Sequence, residues 1–382
     1  MWRRALTTVA VALGAALAAT SCAGAAQQPP ATDTAAACGE LPAAGTGTAE
    51  GWLGWIAAHR DDVTLVIDDG RGDVVAHRPD VQAPSASASK VLHLAAYATA
   101  AAQGRLDPQQ QVRIADWERW YVAGTDGGAH PRSLNFLQVP HDGVRALDPQ
   151  RTVRLADLAT VMIRFSDNAA ADLLRDRLGD PALRAAADAA GWRDPDLPSF
   201  SGQVVALLRP ELASPADLSR EERAAVELAL GQRYAADEAF RAEIAAVPPP
   251  PPGRLLAWAE GTGTAPAAEL TALHRAIATG SLGPGAELAR RELEWQPPPP
   301  GTLGLGFKGG SLPGVIAEAM TLRRADGSIA SAVLLAHRMP LETWTTALQS
   351  FAHQQLLIGA MTEPPMLDRV RCAAGGSGTV GG

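Results

Sequence analysis

Strand-like segments occur only near the two ends of the main region of this chain, and this arrangement limits the folds that it can adopt. Residues 63–67 and 74–77 are β-branched runs joined by an Asp- and Gly-rich turn, a pattern typical of a β-hairpin. Near the carboxyl end, residues 304–307, 317–323 and 329–336 are three further strand-like segments with Gly-containing turns between them. We therefore predict an α+β fold in which an antiparallel sheet, built from both ends, is flanked by helices.

The segments between and after these strands have helical patterns. Alanine-rich runs, apolar periodicity, and Pro or Gly at the boundaries predict the helices. They cover residues 87–103, 155–165, 169–178, 266–279 and, as a closing helix, 341–361.

The composition excludes several classes of protein. Apolar residues make up 47% of the chain and charged residues 19%, as in a globular protein. The net charge of −8, without a basic run, argues against a nucleic acid as partner. Three cysteines without a C-x-x-C motif or clustered histidines predict no structural zinc, and the sequence requires neither a metal nor an organic cofactor.

The amino end has the pattern of an export signal. A short basic start at residues 2–4 precedes an uncharged apolar run at 5–19, and Ala19-Thr20-Ser21-Cys22 resembles a bacterial lipobox. We predict a signal peptide over 1–21 and lipidation of Cys22, which would hold the protein by its lipid alone on the outer face of the cytoplasmic membrane. An ordinary signal peptide, and hence secretion, is the alternative.

The rest of the predicted organisation is simple. Residues 22–48 are rich in Ala, Gln, Pro, Thr and Gly and are interpreted as a tether. One domain at 49–362 and a tail at 363–382 follow, and we expect a monomer. In an oxidising compartment Cys38 and Cys372 could form a disulfide that joins the two ends, because domain termini are often close in space. Two unpaired cysteines are the alternative.

The chain contains 33 basic residues, and only Lys90 and Lys308 are lysines. Unlike arginine, lysine can readily become a neutral base, so a retained lysine suggests chemistry that arginine cannot perform. Ser87 precedes Lys90 by three residues at the start of the first predicted helix, a spacing that lets the amine reach the hydroxyl. A desolvated lysine can activate a serine nucleophile, although a Ser-rich helix cap with a chance lysine would look the same.

Two further motifs follow in order along the chain. Ser166-Asp167-Asn168 lies between two predicted helices, and Lys308-Gly309-Gly310 lies in a Gly-rich strand where a ligand backbone could approach closely. Each has an ordinary explanation, as a helix cap and as a turn. Together with Ser87-x-x-Lys90, in this order, the set resembles the class A serine β-lactamase family of penicillin-recognising hydrolases, over roughly residues 50–362.

The resemblance implies an α/β part and an all-helical part, with the active site between them. It also implies that Ser87 is the acylated nucleophile and that Lys90 is its activating base. Ser166 would carry a proton to the leaving nitrogen, and Asn168 would hold the substrate amide and Lys90.

The third motif and its neighbours would bind the substrate. Lys308 would attract the substrate carboxylate and polarise Ser166, and Gly310 and Ser311 belong to the substrate-binding strand. The backbone N–H groups of Ser87 and Ser311 would form the oxyanion hole.

The sequence departs from the family pattern at two places. Gly309 replaces the hydroxyl residue that helps bind the substrate carboxylate, and Ser311 is the candidate substitute. No E-x-x-L-N loop supplies a glutamate for deacylation. Asp194, Asp196 and Glu211 are weak candidates for that base. Residues 180–261 are also unlike the family.

The predicted function is that of an exported class A β-lactamase, acylated at Ser87 by a β-lactam and freed by water. One alternative is a penicillin-binding, D,D-peptidase-like or esterase-like enzyme that acts on a cell-wall peptide or ester and deacylates slowly. The other is a non-catalytic lipoprotein that uses this fold to bind the cell wall.

Overall fold

The two groups of predicted strands form one antiparallel sheet. The computed structural model of the protein describes residues 38–213 and 218–376. The strands are β1 (Val63–Asp68), β2 (Val74–His77), β3 (Ala83–Pro84), β4 (Gln111–Arg113), β5 (Thr152–Arg154), β6 (Thr264–Ala265), β7 (Thr302–Leu312), β8 (Val315–Arg324) and β9 (Ile329–Ala336). The five-stranded sheet has the order β2-β1-β9-β8-β7, while β3 pairs with β6 and β4 with β5. The predicted α+β class is therefore confirmed.

Helices cover both faces of this sheet. They are α1 (Ala49–Ala58), α2 (Lys90–Ala102), α3 (Ile114–Glu118), α4 (Ala129–Phe136), α5 (Leu155–Arg164), α6 (Asn168–Leu178), α7 (Asp180–Ala189), α8 (Phe200–Leu208), α9 (Arg220–Ala236), α10 (Glu238–Ala245), α11 (Pro252–Glu260), α12 (Ala267–Thr279), α13 (Ala286–Leu293), α14 (Leu341–Ser350), α15 (Ala352–Thr362) and α16 (Pro364–Ala373).

Alternating residues of the central strands belong to two different cores. In β9, Val333 and Leu335 pack with α12 and the large helical part, whereas Leu334 packs with α1, α15 and α16. Successive side chains of a strand point to opposite faces of its sheet, so a strand buried on both faces is apolar throughout. This explains the continuous apolar run at residues 332–336 of β9.

The turn of the β1–β2 hairpin is set by its own polar side chains. The Asp69 carboxylate accepts hydrogen bonds from the backbone N–H groups of Arg71 and Asp73 at 2.7 and 3.1 Å. Gly70 has φ +71°, and a Cβ there would lie 2.5 Å from the Ile329 carbonyl oxygen. Glycine is required at this position by both conformation and space.

The carboxyl end differs from the sequence prediction. The predicted closing helix is divided into α14 and α15 at Phe351, which has φ +50°. The prediction of a tail from residue 363 is wrong for α16, because Leu367 and Val370 are buried against α1 and α15. Pro364 at the first turn of α16 favours the start of a helix.

The domain also begins earlier than residue 49. The Thr46 hydroxyl donates to the Thr343 carbonyl, and Cys38 forms a disulfide with Cys372 on α16. The predicted signal peptide, Cys22 and the tether up to residue 37 lie outside the described residues. Within the described part of the chain, no helix is long and apolar enough to cross a membrane.

The segment without a sequence explanation, residues 180–261, consists mainly of helices α7 to α11. Leu230 and Tyr234 of α9 and Phe240 and Ile244 of α10 are buried in a separate small core with Val205 of α8. The segment is therefore a folded addition to the helical part of the domain.

We expect the Cys38–Cys372 disulfide to stabilise the domain, because it closes a loop with a sequence separation of 334 residues. Replacing Cys38 by Ser should lower the free energy of unfolding by roughly 2–5 kcal/mol, measured by urea unfolding without reductant. Cys372→Ser and the double variant should lose the same amount, since the bond is already broken in each single variant. Additive losses would contradict this account.

Candidate active site

Ser87 and Lys90 are brought together by a single turn of 3₁₀ helix at Ala86–Ser89, directly before α2. Residues three apart eclipse each other in a 3₁₀ helix, and the Lys90 Nζ lies 2.9 Å from the Ser87 Oγ. The α-helix predicted from Ser87 thus begins three residues later. Ala86 has φ +43°, a strained conformation of the kind that clusters at functional sites.

The neighbouring serines are engaged elsewhere. The Ser85 hydroxyl donates to the Gly263 carbonyl at 3.1 Å, and the Ser89 hydroxyl donates to the Ala86 carbonyl at 2.9 Å. Among the serines of this segment, Ser87 is the one whose hydroxyl faces the lysine amine.

The loop between α5 and α6 supplies the other partners of Lys90. Its Nζ lies 2.6 Å from the Ser166 carbonyl oxygen, 3.3 Å from the Ser166 Oγ and 2.5 Å from the Asn168 Oδ1. Ser166 has φ +68°, and this unusual conformation accompanies the approach of both its carbonyl and its hydroxyl to the amine.

Lys308 on β7 contacts the same hydroxyl. Its Nζ donates to the Ser166 Oγ at 3.0 Å and to the Gly309 carbonyl at 2.5 Å. The Ser166 hydroxyl therefore lies between the two lysine amines of the chain.

Burial changes the acidity of both amines. Burial, and after it the positive charge of Lys308, lowers the pKa of Lys90 well below its usual value. Burial also lowers the pKa of Lys308 to about 8, although the nearby charge of Glu318 opposes this shift. The lowered pKa makes the neutral, basic form of Lys90 more accessible, and Lys308 is largely protonated near neutral pH.

The strand β7 passes directly beside the nucleophile. A Cβ on Gly310 would lie 2.5 Å from the Ser87 backbone nitrogen, so only glycine fits there. The Ser311 hydroxyl donates to the Val315 carbonyl at 3.1 Å and accepts from the Trp344 indole at 2.9 Å. Ser311 is thus bound to its own framework and does not supply the hydroxyl that Gly309 lacks.

One groove with a volume of about 1360 Å³ is lined by Ser87, Ser166, Asn168 and residues 308–311. The helices of the added segment form one of its walls, with Val204, Leu207, Ile244, Leu255 and Trp258 among the lining residues. The segment 180–261 therefore contributes an apolar surface next to Ser87. Within the described ranges, no group of three or more His, Cys, Asp or Glu side chains is arranged to hold a metal ion.

Comparison with known proteins supports the same architecture. The profile of the Beta-lactamase enzyme family matches residues 54–228, and a search of curated proteins found no match. The β-lactamase of Sphaerobacter thermophilus DSM 20745 aligns with a TM-score of 0.53 and 17% identity, over 81% of this chain and 96% of its own. A mutant of the class A β-lactamase of the last common ancestor of Gram-negative bacteria aligns with a TM-score of 0.50 and 17% identity, over 81% of this chain and 98% of its own.

The chain has the serine β-lactamase/transpeptidase fold. The resemblance inferred from the three motifs is confirmed at this level. The identity is too low for the comparison to transfer an activity, so the chemistry of the site has to be argued from its own residues.

The acids suggested as deacylating bases lie elsewhere in this serine β-lactamase/transpeptidase fold. Asp194 and Glu211 are exposed, and each pairs with an arginine. Asp196 is buried, where it accepts hydrogen bonds from the Arg223 guanidinium and the Thr264 backbone N–H. None of these three acids lines the groove, so all three candidates are wrong.

An aromatic ring that the sequence did not reveal faces the lysine amine instead. The Phe200 ring centroid lies 4.3 Å from the Lys90 Nζ. Asp172 of α6 fixes this position, because its carboxylate accepts hydrogen bonds from the backbone N–H groups of Phe200 at 3.0 Å and Ser201 at 2.7 Å. Asp172 is four residues, one helical turn, after Asn168, and this spacing is a sequence signal for the link.

A buried charge network supports the loop that carries Ser166. The Asp167 carboxylate accepts hydrogen bonds from the His130 ring at 2.9 Å and from the Trp117 indole at 3.2 Å. The second His130 nitrogen lies 3.2 Å from the Glu118 carboxylate. Burial lowers the pKa of His130, but the charge of Asp167 and the hydrogen bonds to both acids outweigh it and raise the pKa to about 9.

The aromatic residues before the second motif belong to this network and to the core. Trp117, Trp120 and Tyr121 are all buried, and Tyr121 stacks on the His130 ring. These three side chains therefore pack inside the domain and do not line the groove.

We expect the His130 network to make stability depend on pH. The pKa is about 9 in the fold against roughly 6.5 in the unfolded chain. The stabilisation is fully present below pH 6.5 and is lost as the pH rises through 9. His130→Gln should therefore cost roughly 2–3 kcal/mol at pH 6 and much less at pH 9.5, measured by urea unfolding.

His141→Gln is the matched control, because its ring makes a solvent-exposed hydrogen bond to Asn135. It should change stability little and equally at both pH values. A cost of His130→Gln that is the same at pH 6 and 9.5 would show that the ring acts by packing alone.

Proposed function

We propose that the protein is a serine acyl-transfer enzyme whose Ser87 is acylated by β-lactams, or by cell-wall peptides or esters, and which releases the acyl group slowly. One observation carries this proposal: the Lys90 amine touches the Ser87 hydroxyl and faces the Phe200 ring, where a carboxylate would be needed for fast hydrolysis. The site can therefore form an acyl-enzyme more readily than it can hydrolyse one. Of the predicted functions, this favours the penicillin-binding type over the β-lactamase type.

Acylation begins with proton transfer from Ser87. Neutral Lys90 accepts the Ser87 proton while the Oγ attacks the substrate carbonyl, forming a C–O bond. Ser166 lies within 3.3 Å of Lys90 and 3.0 Å of Lys308. Its hydroxyl can give a proton to the leaving nitrogen as the C–N bond breaks, and it is resupplied by Lys90.

The charge that develops on the carbonyl oxygen needs hydrogen-bond donors. We assign this role to the backbone N–H groups of Ser87 and Ser311. At Gly310, the residue before Ser311, β7 lies so close to Ser87 that a Cβ would be 2.5 Å from the Ser87 backbone nitrogen. Asn168, which holds Lys90 through its Oδ1, can donate its amide N–H to the substrate.

Hydrolysis of the acyl-enzyme needs a base that activates water. An apolar ring can neither accept the proton of a water molecule nor hold that water by a hydrogen bond. Because Phe200 occupies the position beside Lys90, no base at that position activates water, and the acyl group remains on Ser87.

We also propose that the enzyme works outside the cytoplasmic membrane, anchored through a lipid on Cys22. The apolar run at residues 5–19 and the lipobox-like sequence support export. The Cys38–Cys372 disulfide supports an oxidising compartment.

Exposure to a penicillin should produce a stable adduct on Ser87, detected by intact-protein and peptide mass spectrometry. Lys90→Arg should reduce acylation by at least about a hundredfold, since the guanidinium cannot accept the proton. Lys308→Arg should retain measurable acylation, because it keeps the positive charge. Ser87→Ala is the control for non-specific labelling.

Different outcomes would exclude this function. Rapid turnover without an adduct would indicate a β-lactamase. The absence of both adduct and turnover would leave a binding protein on this fold, and equal losses in the two lysine variants would contradict their assigned roles.

Replacing Phe200 by Glu should speed the loss of the acyl group by at least about tenfold, because it places a carboxylate base beside Lys90. Phe200→Gln is the matched control, since glutamine has nearly the same size and cannot act as a base. The measurement is the decay of the Ser87 adduct after removal of free penicillin. Equal decay in the two variants would show that Phe200 does not limit deacylation.

A further inference from the structure

Gly309 lies directly opposite Glu318 in the pairing of β7 with β8. A Cβ on residue 309 would lie 2.8 Å from the Glu318 Oε2 and 2.9 Å from the Phe307 Cζ. The carboxylate and the aromatic ring thus occupy the space that a Thr or Ser side chain would need. The absence of a hydroxyl side chain at position 309 therefore goes together with the presence of Glu318 on β8.

The Glu318 carboxylate is held in place at one oxygen and left unsatisfied at the other. Its Oε1 accepts from the His353 ring at 2.9 Å and from the Gln354 amide at 3.3 Å. Its Oε2 is buried and has no hydrogen-bond partner within the protein. A buried carboxylate oxygen without a donor is costly, so a donor from outside the chain would be favourable here.

Glu318 lies in the wall of the same groove that contains Ser87 and Lys308. Three aromatic side chains line this part of the groove with it, namely Phe307, Trp344 and Phe351. Aromatic faces beside a carboxylate favour ammonium and amide groups over anions.

We propose that the part of the groove beside Gly309 binds a hydrogen-bond-donating group of the substrate, an amide or an ammonium, and disfavours a carboxylate. Glu318 is the residue that determines this specificity, and Gly309 makes room for it. The inference rests on the proposed acylation of Ser87, because it concerns the substrate of that same site.

Two effects would act on a substrate carboxylate held near Lys308. Repulsion by Glu318 would oppose it in a site of reduced dielectric, and the missing hydroxyl at Gly309 would leave it one hydrogen bond short. An amide or ammonium at the same place would instead offer a donor to the Glu318 Oε2.

The test compares two probes that differ only in this group, a penicillin and its carboxamide. The readout is the second-order rate constant for acylation of Ser87 in the full-length protein at pH 6.5, followed by mass spectrometry. At this pH Lys308, whose pKa is about 8, keeps its proton. We expect the carboxamide to react faster than the free acid by about tenfold, the effect of one repulsion between like charges in a partly buried site.

Glu318→Gln removes the charge and keeps the size of the side chain. It should shift the ratio of the two rate constants about tenfold towards the free acid, and the ratio cancels effects on Ser87 that both probes share. Glu342→Gln is the matched control, because Glu342 is exposed on α14 and should leave the ratio unchanged. The wild-type comparison decides the question even if Glu318→Gln fails to fold.

The two proposals fail in different ways. Faster acylation by the free acid, with a ratio that Glu318→Gln does not change, would overturn the inference about Glu318 and leave the acylation of Ser87 intact. No Ser87 adduct with either probe would overturn the proposed function, and this inference with it. A shift of the ratio by Glu342→Gln equal to that by Glu318→Gln would show that the effect is not specific to the groove.

Discussion

The amine of Lys90 is completely buried, and most of the candidate site is arranged around it. A buried ammonium is costly, so burial drives this lysine towards its neutral form and makes it a base. The neutral amine still needs polar partners, and Ser87, Ser166 and Asn168 provide them. Ser166 adopts a positive φ, and His130 holds the next residue, Asp167. These two features help to position the loop that carries Ser166 and Asn168. The buried network of Asp167, His130 and Glu118 therefore helps to position the partners of Lys90, although none of these three residues lines the groove.

The same buried amine also explains why Phe200 matters. A carboxylate beside Lys90 would stabilise its proton, whereas an aromatic ring excludes water and keeps the environment apolar. Asp172 fixes the start of α8 to α6, so the ring position follows from the framework that carries Asn168. The proposed acylation and slow release thus follow from one arrangement, in which burial favours a neutral lysine and an aromatic ring rather than a carboxylate lies beside it.

The features that could be predicted from the sequence are those that depend on local spacing. The hairpin, the Ser87-to-Lys90 contact and the position of Ser166 between two helices follow from patterns within a few residues. The contact of Phe200 with Lys90 could not be predicted, because the two residues are 110 positions apart in the chain. The contact of Glu318 with Gly309 depends on the exact register of the β7–β8 hairpin. The helix α16 was missed because its ten residues are stabilised mainly by packing against α1 and α15 rather than by their own pattern.

The charges of the site bear on what it can attract. Burial lowers the pKa of Lys90 well below its usual value, and the Glu318 carboxylate lies close enough to Lys308 to raise the pKa of Lys308. The groove is lined by charges of both signs, and the chain as a whole carries −8. A negative protein slows the approach of anions, and only a strongly positive cleft would reverse that effect. Peptides, amides and esters without a carboxylate at this position meet no such barrier, so the long-range charge and the Gly309–Glu318 pairing favour the same class of substrate.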